Sequence, residues 1–180
     1  MKRTMELRLT GSGGQGVILG AIILAEAALR NNNYAVQSQS YGPEARGGMC
    51  KAEVIIGKEE IEFPKVESPD VLLALSQPSL DRYCSEAREN CVIIADSSLE
   101  KPKTNNKIMS MPIIETARDV VRNQQTANMV ALGAVNTLVP LVDYDALETA
   151  MLKYVPQHAI EQNKKALMEG KRIAKMAVAM

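Results

Sequence analysis

Met5, Leu7 and Leu9 alternate with polar neighbours in "MELRLT" (5–10), which predicts a first strand. A glycine loop follows, and then a helix from about Gln15 to Leu29 that is apolar nearly all round and so expects cover on most sides. "NNN" at 31–33 ends that helix, because Asn tolerates left-handed caps and turns. Further strands are read at "YAVQSQS" (34–40) and at the alternating "CKAEVIIG" (50–57). The continuous apolar runs "VLLALS" (71–76) and "CVIIAD" (91–96) fit strands buried on both faces. "KIMSMPI" (107–113) is a further strand candidate. A short helix is expected near Pro78, with Ser76 or Gln77 before it. From Glu115 the pattern turns helical, with an apolar helix over 127–139 and an amphipathic one over 143–155 capped by Asp143 or Asp145. A long last helix over 157–178 follows, with Ile160, Leu167, Ile173 and Met176 at helical spacing.

Strands alternating with helices predict an α/β domain, a Rossmann-like, mostly parallel sheet with helices on both faces and extra helices at the C-terminal end. With 180 residues and no linker-like stretch, positions 1–180 are expected to form a single domain.

Composition narrows the function. Lys plus Arg and Asp plus Glu both number 21, so there is no electrostatic case for nucleic acid or a membrane surface. Five Tyr, one Phe and no Trp make no platform for stacking bases. Cys50, Cys84 and Cys91 have neither metal-ligand nor cluster-ligand spacing, and read as reduced, buried thiols of a cytoplasmic protein. No metal site, and no acid–base or nucleophile constellation, is evident in the sequence. The sole histidine, His158, stands at a helix start and reads as a surface or cap residue. The ten methionines and the apolar "NMVALGAV" helix leave two readings open, a surface covered by a partner and a helix that is all core.

"GSGGQG" (11–16) has the spacing of a dinucleotide loop, with glycines for a tight strand-to-helix turn and free N–H groups at a helix start. A dinucleotide site also needs an acid at the end of the second strand, some twenty residues on. Gln37, Ser38, Gln39 and Ser40 stand there instead. No Lys-Ser or Lys-Thr follows the glycines, which removes a P-loop. A structural turn and an interface loop near another ligand remain. A second glycine-rich loop, "QSQSYGPEARGG" (37–48), follows the second strand, and in a parallel sheet both loops would share one carboxyl edge. Its Glu44 and Arg46 fit either a solvated ion pair or a docking loop, since a guanidinium can hold a carboxylate or phosphate bidentately.

Together, "GSGGQG", "QSQSYGPEARGG" with "CKAEVIIG", "DVLLALSQ" (70–77), "NMVALGA" (128–134) and the Asn163, Ala166, Gly170 series resemble the gamma subunit of 2-oxoacid:ferredoxin oxidoreductases over nearly the whole chain. Tyr41, Ala45 and the Gly47-Gly48 pair look like the 2-oxoglutarate type rather than the pyruvate or branched-chain types. The resemblance implies oxidative decarboxylation of a 2-oxoacid to an acyl-coenzyme A with reduction of ferredoxin. It implies thiamine diphosphate, magnesium and iron–sulfur clusters on alpha, beta and ferredoxin-like delta partner subunits, with coenzyme A as co-substrate. This chain would hold no cofactor alone and no catalytic residue, and would act as a structural and gating component. Carried over by position, Gly11, Gly13, Gly14, Gln15 and Gly16 would lie near cofactor or coenzyme A. Ser40, Tyr41, Gly42, Pro43, Glu44, Arg46, Gly47 and Gly48 would form an interface loop. The rival is a stand-alone dinucleotide-binding enzyme, against which the missing ribose acid counts.

Overall fold

The computed structural model describes residues 4–41 and 48–179. The elements are β1 (Thr4–Ser12), α1 (Val17–Arg30), β2 (Tyr34–Tyr41), β3 (Met49–Gly57), β4 (Val71–Ala74), α2 (Gln77–Cys84), β5 (Val92–Asp96) and β6 (Ile108–Met111). A helical turn α3 (Ile113–Glu115) continues into a π-helical turn (Thr116–Val121), followed by α4 (Ala127–Leu138), α5 (Tyr144–Tyr154) and α6 (Ile160–Ala179). Asn32 takes the left-handed conformation that ends α1, with φ of 55°.

The six strands run in the order β2-β3-β1-β4-β5-β6. β1, β4, β5 and β6 are parallel neighbours, while β3 is antiparallel to both β1 and β2. The sheet is thus mostly parallel, as the sequence predicts, with one exception: β2 and β3 form a hairpin, and β3 lies between β1 and β2. The shared carboxyl edge survives by another route, because β2, antiparallel to β3, again runs the same way as β1. Alternating apolar patterns suit either strand direction, which is why the hairpin was not legible.

One face of the sheet carries the main core. Leu7, Leu9, Val54, Leu73 and Ile94 meet α1, α4, α5 and α6 there. The other face is covered more thinly, with Leu72, Ala74, Ile93 and Ala95 packing on Leu80 and Cys84 of α2. Helix α4 is buried from Ala127 to Asn136, so "NMVALGAV" is core and not a partner-covering surface. Its neighbour α6 crosses it where both helices carry glycine. A Cβ on Gly133 would run into the Leu167 carbonyl, and one on Gly170 into the Val130 carbonyl. Asn163, Ala166 and Gly170 all lie on the buried side of α6, so this series serves helix packing. Met176, expected on the apolar face, is 55% exposed. Asp143 sits at the start of α5 without a side-chain cap bond. Its carboxylate accepts instead from Asn31 Nδ2 at 2.7 Å and ties α5 to the end of α1.

All three cysteines are free and buried, and burial pushes the Cys91 thiol up to about 11. His158 is exposed in a short 3-10 turn over Gln157–Ala159. No described helix is long and apolar enough to cross a membrane.

Two polar features on this scaffold have testable consequences. Among the described residues Tyr144 Oη is buried without a hydrogen-bond partner, and burial, then Glu148, raises its phenol to about 12. A hydroxyl buried in this way gains nothing to offset its lost hydration. Tyr144→Phe is expected to leave stability unchanged or raise it by about 1 kcal/mol, read from urea unfolding. A loss larger than that would show that the hydroxyl is bonded after all.

Second, Arg88 bridges Glu6 and Asp70, at 3.1 Å to each. Burial, then Asp70, raises Glu6 above 4.5, and burial raises Asp70 above 3.8. The folded chain thus holds protons on these groups that the unfolded chain releases. Their contribution is complete below the unfolded values and is lost as pH rises through the folded ones. Stability measured on raising pH from about 4 should therefore decline less steeply in Glu6→Gln than in the natural chain, and an unchanged slope would remove Glu6 from the titration.

Candidate functional site

β1, β2, β4, β5 and β6 all end at one edge of the sheet, and the glycine loop rises from its centre. Its shape is set from within. Gln15 folds back so that its Oε1 accepts from Ser12 N at 2.7 Å and its Nε2 donates to Leu75 O at 2.9 Å. The Gln15 amide closes the same turn on Ser12 O at 3.1 Å. Gly11 leaves the space for that side chain, since a Cβ there would lie 2.5 Å from Gln15 Oε1. Gly16 is left-handed, with φ of 70°, and stands against Asn128, whose Nδ2 donates to Gly16 O at 3.2 Å. Gly14, with φ of 94°, faces open space.

Gly13 N donates to Gly48 O at 3.0 Å, so the first glycine loop is tied to the base of the second. Gly11, Gly13, Gly14, Gln15 and Gly16 are thereby brought together with Gly48 at one edge. Ser40 and Tyr41 end β2 at that same edge. Gly42, Pro43, Glu44, Ala45, Arg46 and Gly47 lie outside the described residues.

A cleft of about 330 Å³ opens beside the first loop. Gly13, Gly14 and Gln15 form one wall, and Ile114, Gln124, Gln125 and Ala127 form the other. Its described lining carries no charged side chain. An apolar groove of similar volume between β6, the π-helical turn and α6 shares no lining residue with it. The buried carboxylate at this edge, Asp96, is engaged within the chain through both oxygens. Its Oδ1 accepts from Ser98 N and Oγ, and its Oδ2 from Ile114 N at 2.8 Å. It fixes the start of α3 beside the cleft. Among the described residues no group of His, Cys, Asp or Glu is placed to hold a metal ion.

Sequence reasoning missed the roles of Asn128 and Asp96, and missed the bonds by which Gln15, expected in a loop near cofactor or coenzyme A, braces that loop from within. The signal for Asn128 was an isolated amide at the head of an otherwise apolar helix. Asp96 closed an apolar strand, which places a carboxylate at the carboxyl edge. Gln15 gave no signal of these bonds, because Leu75, the partner of its Nε2, lies 60 residues along the chain. If Gln15 locks the loop, Gln15→Leu should cost about 1–3 kcal/mol, since it leaves the Leu75 carbonyl and the Ser12 amide unpaired. Thermal unfolding checks this, and an unchanged midpoint would mean the loop is held by its glycines alone.

The hairpin also separates this loop from a dinucleotide site. A ribose-binding acid works from the strand next to β1. Here β3 intervenes, which moves the end of β2 about 9–10 Å from β1. The molecule is an α/β protein whose glycine loop is braced to a neighbouring hairpin, and among the described residues no acid stands at the end of β2.

Comparison with known proteins gives the family. The model of the pyruvate ferredoxin/flavodoxin oxidoreductase family matches residues 6–173, and the chain belongs to that family. It is 41% identical over 180 residues to 2-oxoglutarate synthase subunit KorC of Methanocaldococcus jannaschii, covering 97% of this chain and 96% of that one. It is 30% identical to pyruvate synthase subunit PorC of Thermotoga maritima, with 94% of each chain covered. The crystal structure of a keto/oxoacid ferredoxin oxidoreductase gamma subunit from Geobacter sulfurreducens superposes with a TM-score of 0.89 at 41% identity, covering 97% of this chain and 98% of that one.

Proposed function

We propose that this chain is the gamma subunit of a 2-oxoglutarate:ferredoxin oxidoreductase, a structural and gating subunit and not the seat of the chemistry. The observation that carries the reading is near-full-length similarity to the KorC chain, at 41% identity against 30% for the PorC chain. On this reading thiamine diphosphate, magnesium and the iron–sulfur clusters sit on partner alpha, beta and delta subunits, and supply decarboxylation and electron transfer there. This chain's part is mechanical. The Gln15 and Asn128 bonds hold the glycine loop rigid, and the Gly13–Gly48 bond transmits that rigidity to the base of the second loop. Ser40 to Gly48, with Glu44 and Arg46 as polar contacts, then meets the partner subunits and borders the path of coenzyme A. The chain works in the cytoplasm.

The test is reconstitution of the tagged chain with its candidate partner subunits, followed by viologen reduction with 2-oxoglutarate, pyruvate or 2-oxoisovalerate, with and without coenzyme A. Activity is expected only in the assembly, only with coenzyme A, and at least about tenfold higher with 2-oxoglutarate. A preference for pyruvate would reassign the substrate. Viologen reduction by the chain alone would overturn the subunit reading.

A further inference from the structure

The apolar groove beside β6 is separate from the cleft at the glycine loop. It holds about 330 Å³ between the end of β6, the π-helical turn and the later turns of α6. Met111, Pro112, Val120, Ile173 and Met176 supply most of its wall. Val120 is 39% exposed and Met176 55%, so the groove leaves large apolar side chains in water. Arg172 Nη1 donates to Met176 Sδ at 3.1 Å, which steadies that side chain.

The charges along the groove are sorted by end. Its middle is neutral, because Arg118 holds Asp119 through two bonds of 2.7 Å and Arg172 holds Glu169 at 2.7 Å. Where the groove meets β6 stands Glu115, exposed and, among the described residues, in no ion pair. Two cations stand at the other end. Lys165, Arg172 and Met176 recur at helical spacing along one side of α6. Lys165 Nζ donates to the Val120 carbonyl at 2.6 Å and, among the described residues, pairs with no carboxylate, Glu161 one turn away included. Arg122 caps the π-helical turn just beyond Val120. Every other described arginine pairs with a carboxylate, whereas Arg122 is exposed and, among the described residues, bonded to nothing. Its φ of 64° is left-handed. The other non-glycine residues of positive φ, Asn32 and Asn90, are asparagines, which tolerate it. Glycine or asparagine would serve the turn better, so the arginine is there for its side chain.

We infer that this groove takes an amphipathic helix of a partner subunit, with large apolar side chains over Val120 and Met176, a cation at the Glu115 end and a carboxylate at the Arg122 and Lys165 end. This rests on the subunit reading above. β6 offers little main-chain pairing beside the groove, since it is four residues long and is followed by Pro112, which has no N–H. An extended occupant would leave backbone groups unpaired against apolar walls, whereas a helix satisfies its own. From Lys165 to Met176 α6 rises about 16 Å, or about three turns, which matches helix anchors at i, i+4 and i+7. A guanidinium and an ammonium without counter-ions complement a carboxylate and leave none of the three charges unpaired when covered.

Peroxide footprinting and two variants test the inference on the free chain and on the reconstituted assembly. Hydrogen peroxide should oxidise Met176 at least about tenfold more slowly in the assembly than in the free chain. Arg122→Gly should keep or raise the melting temperature of the free chain, because glycine suits the left-handed backbone. It should nevertheless weaken assembly at least about tenfold, and the remaining affinity should fall less steeply with salt than that of the natural chain. Val120→Asp should weaken assembly by a similar factor. An active assembly in which Met176 is oxidised as fast as in the free chain, or which Arg122→Gly joins as tightly as the natural chain, overturns the inference and leaves the subunit reading standing. A lower melting temperature for free Arg122→Gly makes Arg122 a folding residue and also overturns it. Protection of Met176 in the free chain that rises with concentration overturns it in favour of a second copy. Failure of the natural chain to assemble at all overturns both.

Discussion

Gly170→Ala is expected to destabilise the chain by about 3 kcal/mol or more, the upper range for a single overpacking change. Added methyls usually cost less because neighbouring side chains rotate away. Here the first obstacles are backbone atoms of α4, the Val130 carbonyl and the Ala134 amide. Backbone in a helix cannot step aside without moving the helix. Separation of α4 from α6 would open the core on both sides of the crossing, where Val130, Ala134, Ala166, Leu167 and Ala174 are all buried. For a domain of this size the cost corresponds to a fall in melting temperature of roughly 6–12 °C. Gly133→Ala meets the Leu167 carbonyl in the same way and should fall in the same range. The two positions share one contact, so the double variant should cost less than the sum of the single ones. A melting temperature within about 2 °C of the natural chain for Gly170→Ala, less than a 1 kcal/mol change, would show that the helices separate freely.

That crossing also shows what the sequence could convey. The spacing of Asn163, Ala166 and Gly170 was visible, and its place on a helix was correctly read. Its purpose was not, because small residues at helical spacing look alike whether they face a partner subunit or a sister helix. β1, β4 and β5 were legible for a simple reason. A strand buried on both faces needs an unbroken apolar run, and a half-buried one needs alternation. β3 was found as a strand but its direction was not, since alternation carries no sign. At the site, the glycines announced a tight loop. The partners that define it, Leu75, Gly48 and Asn128, lie far along the chain and are joined only by folding. The same holds for the thin face of the sheet, where a charged residue in the first strand would have been assigned to solvent.

That residue is Arg8, and Arg8→Met should cost about 3–5 kcal/mol, as expected when one member of a buried ion pair is removed. Its side chain is 3% exposed and each end of the guanidinium is engaged. Nε donates to Glu53 at 2.7 Å, Nη1 to Glu86 at 2.6 Å and Nη2 to the Val66 carbonyl at 3.0 Å. The Tyr83 ring lies 5.2 Å away. These bonds join β1 to β3, to the segment after α2 and to the connection before β4. The loss would come less from the missing attraction than from what remains. Glu53 is 9% exposed and, among the described residues, would keep Lys51, 3.2 Å away, as its cation. Arg8→Lys restores the charge but cannot reach three acceptors in three directions, so it should fall between the natural chain and Arg8→Met. Replacing Arg8, Glu53 and Glu86 together by methionine should recover most of the loss, because no buried charge is then left unpaired. Urea unfolding of these variants decides the matter. A cost below about 1 kcal/mol for Arg8→Met would place the pair among solvated surface contacts. A triple variant no better than the single one would show that the guanidinium acts through its packing on Tyr83 and not through its charge.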